Sequence, residues 1–415
     1  MKGVLIRMAL LMAAAMARPA GAEWPQFMGP TGDGIASPEE KIAKSFPAGG
    51  PKELWHVTMA DGYASPAVAG GKVYVLDRPG EGATEKFRVL DLATGNEEWS
   101  VDHEAEAFKK GAYGFTRGTP AVDGTMAYAI GTTGDLTAYD LPGKRLAWKK
   151  NLKKDFGARP FNWGFSTSPV VLGEHLIVFT PGSPKSGVVA LDKKTGDTVW
   201  ASEPFGAVDT NTSPVVATID QVPQILAWHT GTLAGISPDD GKILWRYDWK
   251  ANRQIPNPVY LGNGRIFLPT GHKMGCAMVD VKRVGDQWQV KEVFKDTRTG
   301  GLLSNTVFYK GFIYINATDK WTGLQCIDMD GNLKWEGKQK FGYGSMIVVD
   351  GTIVIMNGDN GTVFLVEASP AGYKELASAK VFDASKEVWS PLAVASGKLL
   401  VRDKATLKCL DVAAK

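Results

Sequence analysis

Cysteine and histidine are scarce in this chain: three cysteines and five histidines in 415 residues. Three thiols cannot form the multi-bridge framework of a small secreted domain, and no Cys-x-x-Cys or His-Glu-x-x-His spacing marks a metal site. His103-Glu104 lacks a second histidine, and Asp328-x-Asp330-Gly331-Asn332 coincides with a repeated turn and lacks the later ligands of a calcium loop. A Gly-x-Ser-x-Gly elbow and a Walker loop are missing as well, which removes the common hydrolase and nucleotide signatures. Charge of one sign is also lacking. Lys and Arg number 47 against 44 Asp and Glu, a net charge of +3 with no basic block, so no electrostatic footprint for nucleic acid is present.

Long hydrophobic runs are confined to the first residues. Lys2 and Arg7 precede an apolar run over residues 8–17, followed by Pro19 and the small residues Ala20-Gly21-Ala22. The run is about half of the roughly 20 residues that a bilayer requires. It therefore reads as a secretory signal peptide over residues 1–22, cut after Ala22, which places the mature protein in the periplasm or outside the cell with no membrane span. No cysteine follows the cut to carry a lipid anchor.

What the chain has in abundance is a repeat. Trp55, Trp99, Trp148, Trp200, Trp245, Trp288 and Trp335 recur every forty to fifty residues, and most close one short phrase. Its fullest forms run from Leu90-Asp91 through Thr94-Gly95 to Trp99, and from Leu191-Asp192 through Thr195-Gly196 to Trp200. An acidic residue stands eight places before the indole, with a glycine turn between them. Asp140 to Trp148, Ser237 to Trp245 and Asp280 to Trp288 keep the spacing, while in the seventh copy Glu375 stands where the indole is expected.

A second landmark has the same period. Ser65-Pro66, Thr119-Pro120, Ser168-Pro169, Ser213-Pro214, Asn257-Pro258, Asn305-Thr306, Ser345-Met346 and Ser390-Pro391 each open an apolar, β-branched run. The pitch is about 46 residues, enough for four short strands but too little to bury an apolar face alone. A proline at the first residue of a strand forfeits no interior ladder bond.

Eight such units predict an all-β, eight-bladed β-propeller of four-stranded antiparallel blades over residues 52–415, after an irregular leader over residues 23–51. The eighth copy begins at Asp411 and has no closing indole. The segment around Trp55 resembles the fourth strand of a blade and is expected to pair with the strand around residues 407–410, closing the ring. The seven indoles are read as mortar between blades. The three cysteines fall at core positions of different blades and are expected to be buried free thiols.

In a propeller, the loops leading into the innermost strands and the hairpins joining the second and third strands open on one face. This places Tyr63, Arg117, Trp163, Asn211, Asn257, Asn305, Tyr343 and Trp389, with His229, His272, Asp319, Trp321 and Asp359, around one mouth of the central channel. A concave mouth with aromatics and a few polar groups is the expected ligand site. No catalytic residue and no metal ligand is assigned.

The phrase acid-x-x-Thr-Gly-x-x-x-Trp, with the Ser-Pro strands, resembles the pyrroloquinoline quinone (PQQ)-like repeat from about residue 51 onward. The opening Trp24-Pro25-Gln26-Phe27-Met28-Gly29 resembles the leader of a secreted bacterial subgroup of these propellers. The resemblance implies two kinds of relative: PQQ- and calcium-dependent alcohol dehydrogenases, and non-enzymatic binding propellers of the BamB type. The dehydrogenases are longer and many carry adjacent cysteines or a Cys-x-x-Cys-His haem site, which this chain lacks. Its size is similar to BamB, although it has no lipid-anchor cysteine. The favoured expectation is a secreted or periplasmic scaffold that binds a protein, peptide or glycan partner, with PQQ and calcium as the alternative.

Overall fold

The structure is a computed structural model that describes residues 23–79, 83–108, 115–160, 163–206, 210–249, 254–271, 273–318, 322–383 and 387–414. The expected signal peptide lies outside them. Eight four-stranded antiparallel sheets follow one another along the chain. Blade one takes Ala67–Ala69, Lys72–Asp77, Thr84–Asp91 and Glu97–Glu104 in simple up-and-down order, and the pattern repeats through blade seven. The architecture is an all-β eight-bladed propeller.

The apolar, β-branched runs account for its core. Each blade presents buried side chains on both faces of its second and third strands, and neighbouring blades share them. Tyr74 and Phe87 of blade one pack with Tyr139 of blade two, and Ile177 and Phe179 of blade three pack with Ile225 and Ile236 of blade four. Core therefore lies in the wedges between blades, which is why no blade can stand alone. Cys276, Cys326 and Cys409 are free and buried in these wedges. Burial pushes the Cys326 and Cys409 thiols up to about 12, so neither is a thiolate at neutral pH.

Blade eight draws on both ends of the described chain. Ala393–Ala395, Lys398–Arg402 and Thr406–Asp411 form its inner three strands, and Glu53–Thr58 is its fourth, with Trp55 opposite Cys409. The indoles of the fourth strands reach to the next blade. Trp55, Trp148, Trp200 and Trp335 donate to Leu92 O, Lys193 O, Pro238 O and Ser369 O at 2.7–3.2 Å, all in the glycine turn between the third and fourth strands of the following blade. The carboxylate of Asp91 holds that turn by accepting from Thr94 N and Thr94 Oγ1, both at 2.9 Å. Asp192 repeats the arrangement at Thr195 N, at 2.9 Å.

Two members of the series differ from the sequence expectation. In blade five the hairpin between Cys276–Val284 and Gln287–Asp296 is extended, and Trp288 faces Arg283 near its tip. Phe294, opposite Met278, takes the indole's register and packs on Gly331 of blade six. Trp245, whose neighbour is this extended hairpin, donates instead to Gln224 Oε1 in its own blade at 2.6 Å. In blade seven, Ala377 and not Glu375 holds the position, opposite Leu365 and just before the bulge. Blade eight takes its fourth strand from Glu53–Thr58, so it has no Thr-Gly turn between its third and fourth strands for an indole to press against. A five-residue helix, Leu152–Phe156, capped by the Asn151 side chain and by Gly157 in the left-handed region, was not expected from the repeat.

The Ser-Pro residues stitch the hub. Thr119 N donates to Ser168 Oγ at 2.9 Å, Ser168 N to Ser213 Oγ at 2.8 Å and Ser213 N to Asn257 Oδ1 at 2.8 Å, each step crossing to the next blade. On the other side of the ring the sense reverses. Met346 N donates to Asn305 Oδ1 at 3.1 Å and Leu392 N to Ser345 Oγ at 3.0 Å.

The leader fills the axis. Trp24 pairs antiparallel with Val68 through bonds of 2.9 and 2.8 Å, and Val122 N donates to Pro25 O at 2.8 Å, so the chain runs up the open edges of the inner strands of blades one and two. It turns over residues 28–34, with Gly34 N bonded to Met28 O at 2.8 Å. It then runs down parallel to Met346–Val349 of blade seven, through Ala36 N to Val348 O and Val348 N to Gly34 O, both 2.9 Å. The Glu40 carboxylate closes the path on the far face by accepting from Ser396 N at 2.8 Å and Gly397 N at 2.6 Å. The irregular leader is threaded through the ring, and the inner strand edges of blades one, two and seven are covered.

Candidate functional site

Because inner strands begin at the mouth, the residues of the loop leading into each strand are carried to a similar height in every blade. These residues meet around a cavity of about 320 Å³. Blade one contributes Tyr63, blade two Arg117, blade three Trp163 and Ser166, blade four Asn211, blade five Ile255, blade six Leu302 and Leu303, blade seven Tyr343, and blade eight Trp389 and Pro391. Phe27, from the leader turn, completes the lining from below.

The lining is divided around the ring. Arg117, Ser166 and Asn211 form a polar arc on blades two to four. The Arg117 guanidinium donates to Trp163 O, and Ser166 Oγ donates to Asn211 Oδ1 at 2.7 Å. Across the cavity an aromatic wall covers blades seven, eight and one. Tyr63 stacks on Trp389 at 5.4 Å and 16°, and Tyr343 meets Trp389 edge-on at 5.4 Å and 87°. Tyr63 Oη donates to Glu387 Oε2 at 2.9 Å, and Lys404 Nζ pairs with Glu387 at 2.9 Å, which fixes the wall from behind. Ile255, Leu302 and Leu303 make the remaining side apolar.

Tyr63, Arg117, Trp163, Asn211, Tyr343 and Trp389, expected at the mouth, do line this cavity. Asn257 and Asn305 do not; their amide oxygens are taken by Ser213 N and Met346 N in the hub. His229 is fully buried between the rings of Phe179, 4.9 Å away, and Phe205, 4.5 Å away. Burial pulls its imidazole down from 6.5 to about 3, so it stays neutral. Asp359 is exposed on its hairpin and does not line the cavity. His272, Asp319 and Trp321 lie outside the described residues. Ser166, Ile255, Leu302, Leu303 and Pro391 were passed over in the sequence, although Ser166, Ile255 and Leu302 stand at the same offset from their inner strands as Tyr63 does. Phe27 carries no repeat signal that points to it.

The alternative cofactor pair can be tested against this lining. A calcium-bound quinone requires several hard oxygen ligands and a carboxylate base. Among the described residues no carboxylate lines the cavity, and no group of three or more His, Cys, Asp or Glu is placed to hold a metal ion. The residues that are described do not fit a calcium–quinone site. No helix among the described residues is long and apolar enough to cross a membrane.

Comparison with known proteins agrees on the architecture. The family model described as outer membrane protein assembly factor BamB matches residues 46–158, 83–309 and 147–370. No curated protein matches the chain. Among solved structures, a quinohemoprotein alcohol dehydrogenase from Pseudomonas putida HK5 is 13% identical with a TM-score of 0.66, the alignment covering 95% of this chain and 81% of that one. A europium-containing methanol dehydrogenase is 13% identical at a TM-score of 0.65, covering 94% and 89%. BamB from Moraxella catarrhalis is 14% identical at 0.58, covering 87% and 99%. At these identities the structural likenesses speak for the fold alone. The repeats, the eight blades and the family match over most of the length together make the chain a member of the PQQ-repeat propeller family described by the outer membrane assembly factor BamB.

Proposed function

We propose that this protein is a non-enzymatic binding propeller, secreted or periplasmic after cleavage near Ala22, that receives part of a protein, peptide or glycan partner in the mouth cavity. The observation that carries this reading is the character of the lining: eight blades and the leader supply an aromatic and apolar bowl with one guanidinium, one hydroxyl and one amide on one side. Such a bowl favours recognition over chemistry. It offers a face for stacking and a polar arc for orientation, but no carboxylate, imidazole, amine or thiol among the described lining residues.

Two measurements test it. Purified protein supplied with pyrroloquinoline quinone and calcium is expected to give no stoichiometric absorbance change and no dye-linked alcohol oxidation. Tight one-to-one quinone uptake with turnover would replace this reading with the dehydrogenase one. Amino-terminal sequencing of protein recovered from the periplasm or medium is expected to begin at Glu23.

A further inference from the structure

We propose that an extended, uncharged peptide segment of a partner chain adds as a further strand to the inner edge of blade four, inside the axial channel. The site continues downward from the mouth cavity, so the proposal deepens the binding reading above and rests on it for the way in.

The repeat itself shows what an inner strand offers the axis. In an antiparallel pair, hydrogen-bonded residue pairs alternate with pairs whose N–H and C=O point away from the neighbouring strand. Counted from the landmark that opens each inner run, the fourth residue is of the second kind, and in three blades the leader uses it. Val68 of blade one donates to Trp24 O and accepts from Trp24 N, Val122 N of blade two donates to Pro25 O, and Val348 of blade seven donates to Gly34 O and accepts from Ala36 N. Val171, Val216, Tyr260 and Phe308 hold the same position in blades three to six. Among the described residues, none of these four has a backbone partner on the axis side. The open arc therefore continues, around the axis, the edge that the leader already occupies.

Blade four is the most open part of that arc. Its inner strand, Val215–Ile219, has five residues, against three or four in the inner strands of the other blades. Thr218 stands opposite Pro223, which has no N–H to give, so the N–H and C=O of Thr218 point to the axis. Its C=O accepts from Tyr260 Oη of blade five. Val216, two residues earlier with no bulge between, points the same way. Val216 is 38% exposed, whereas Val68 and Val348, its leader-paired counterparts, are 1% and 0% exposed. An unpaired strand edge of this kind is a template for a further strand.

The chemistry of the occupant follows from the edge. Val170–Leu172, Val215–Ile219 and Val259–Gly262, the inner strands of blades three to five, carry no charged side chain, so an uncharged segment with small or β-branched side chains matches them. Backbone pairing needs alternating N–H and C=O groups, which a peptide has and a sugar lacks. The leader pairs antiparallel with blade one and parallel with blade seven, so the axis accepts either sense. Ser166, Asn211 and Ile255 line the mouth just ahead of these same three strands, which makes cavity wall and strand edge one surface.

The test uses the full-length mature protein and a panel of acetylated, amidated heptapeptides in which threonine alternates with valine or isoleucine. Matched peptides N-methylated at three consecutive central residues, which cannot pair on either edge, and an oligosaccharide panel are titrated alongside. Binding is read by calorimetry and by residue-resolved amide exchange. In the free protein the Val216 and Thr218 amides are expected to exchange at least about a hundredfold faster than those of Val68 and Val348. Saturating peptide should slow both by at least about tenfold, and the N-methylated peptides should not. Val216→Pro removes an N–H that points to the axis and no ladder bond, and should weaken peptide binding about tenfold. If that variant fails to fold, exchange in the wild-type protein decides. If peptides bind while Val216 and Thr218 stay unprotected and N-methylation changes nothing, the added strand is overturned and the mouth cavity alone is the site. If the Val216 amide is already protected in the free protein, the open edge is overturned. If oligosaccharides bind and no peptide does, the peptide class is overturned and the binding reading stands. If none of these probes binds, both this proposal and the binding reading fall.

Discussion

Trp55 lies on Gly95. The indole belongs to the fourth strand of blade eight and the glycine to the Thr-Gly turn of blade one, and a Cβ on Gly95 would stand 2.6 Å from the ring. Gly95 also has φ of +74°, a conformation that glycine adopts without strain. Residues 40 apart in sequence thus seal the first blade to the last. Gly95→Ala is expected to destabilise by about 1–3 kcal/mol through backbone strain and collision together. Trp55→Ala is expected to cost about 3–5 kcal/mol. Chemical denaturation of the two variants measures both.

The same contact made by another residue distinguishes motif from structure. Phe294 packs on Gly331, whereas Trp288, half-buried like Phe294, lies near a hairpin tip away from that turn. Phe294→Ala should cost about 3 kcal/mol or more, and Trp288→Ala about 1 kcal/mol. Equal losses from the two would return the mortar role to the indole.

His229 makes stability depend on pH in a definite direction. Its folded value, about 3, lies below the ordinary 6.5. Between those values the unfolded chain binds a proton here and the folded chain does not. Its contribution is therefore complete above about pH 6.5 and is lost as pH falls toward 3, at up to about 1.4 kcal/mol per pH unit. His229→Phe, which keeps a ring between Phe179 and Phe205, should flatten the decline of Tm from pH 6.5 to 4. An unchanged slope would show that other groups govern the acid limb.

Blades one and two share a buried ionic staple. Glu85 Oε1 accepts from Arg78 Nη1 and from Thr132 N, each at 3.0 Å, and the His103 Nε2 lies 3.5 Å from Glu85 Oε2. Tyr139 Oη lies 3.2 Å from His103 Nδ1. Removing one partner of such a pair leaves a buried charge, so Glu85→Ala is expected to cost about 3–5 kcal/mol. The double variant with Arg78→Met should cost less than the sum of the two single changes, which a double-mutant cycle in denaturant will read.

Much of this molecule is legible in its sequence because a repeat reports eight times. Ser-Pro pairs and Thr-Gly turns locate the blades, and equal offsets from the inner strands carry Tyr63, Arg117, Asn211 and Trp389 to one mouth. What escaped notice was whatever broke the period. Counting eight residues from Asp280 finds Trp288, since spacing cannot reveal that a hairpin has been lengthened by extra pairs on each side. Choosing polar and aromatic residues passed over Ile255, Leu302 and Leu303, although an apolar wall is half of a binding cup. His229 occupies a hairpin position that would face the mouth, but two phenylalanines from blade three enclose it. The leader was legible as an irregular segment but its path through the ring was not, because a stretch without periodicity shows its course only through its partners.

The hydrogen bonds of the hub have a direction, and that direction makes them informants. The amide of Thr119 is satisfied by a side chain about one blade further on, as is that of Ser168. A change at Ser168 is therefore felt first as an orphaned donor in blade two, and one at Ser213 as an orphan in blade three. Amide exchange should register each injury in the neighbour and leave its origin quiet. From blade two to blade five damage is thus passed backward, from blade six to blade eight it is passed forward, and on either side the position that loses protection points to the one that was altered.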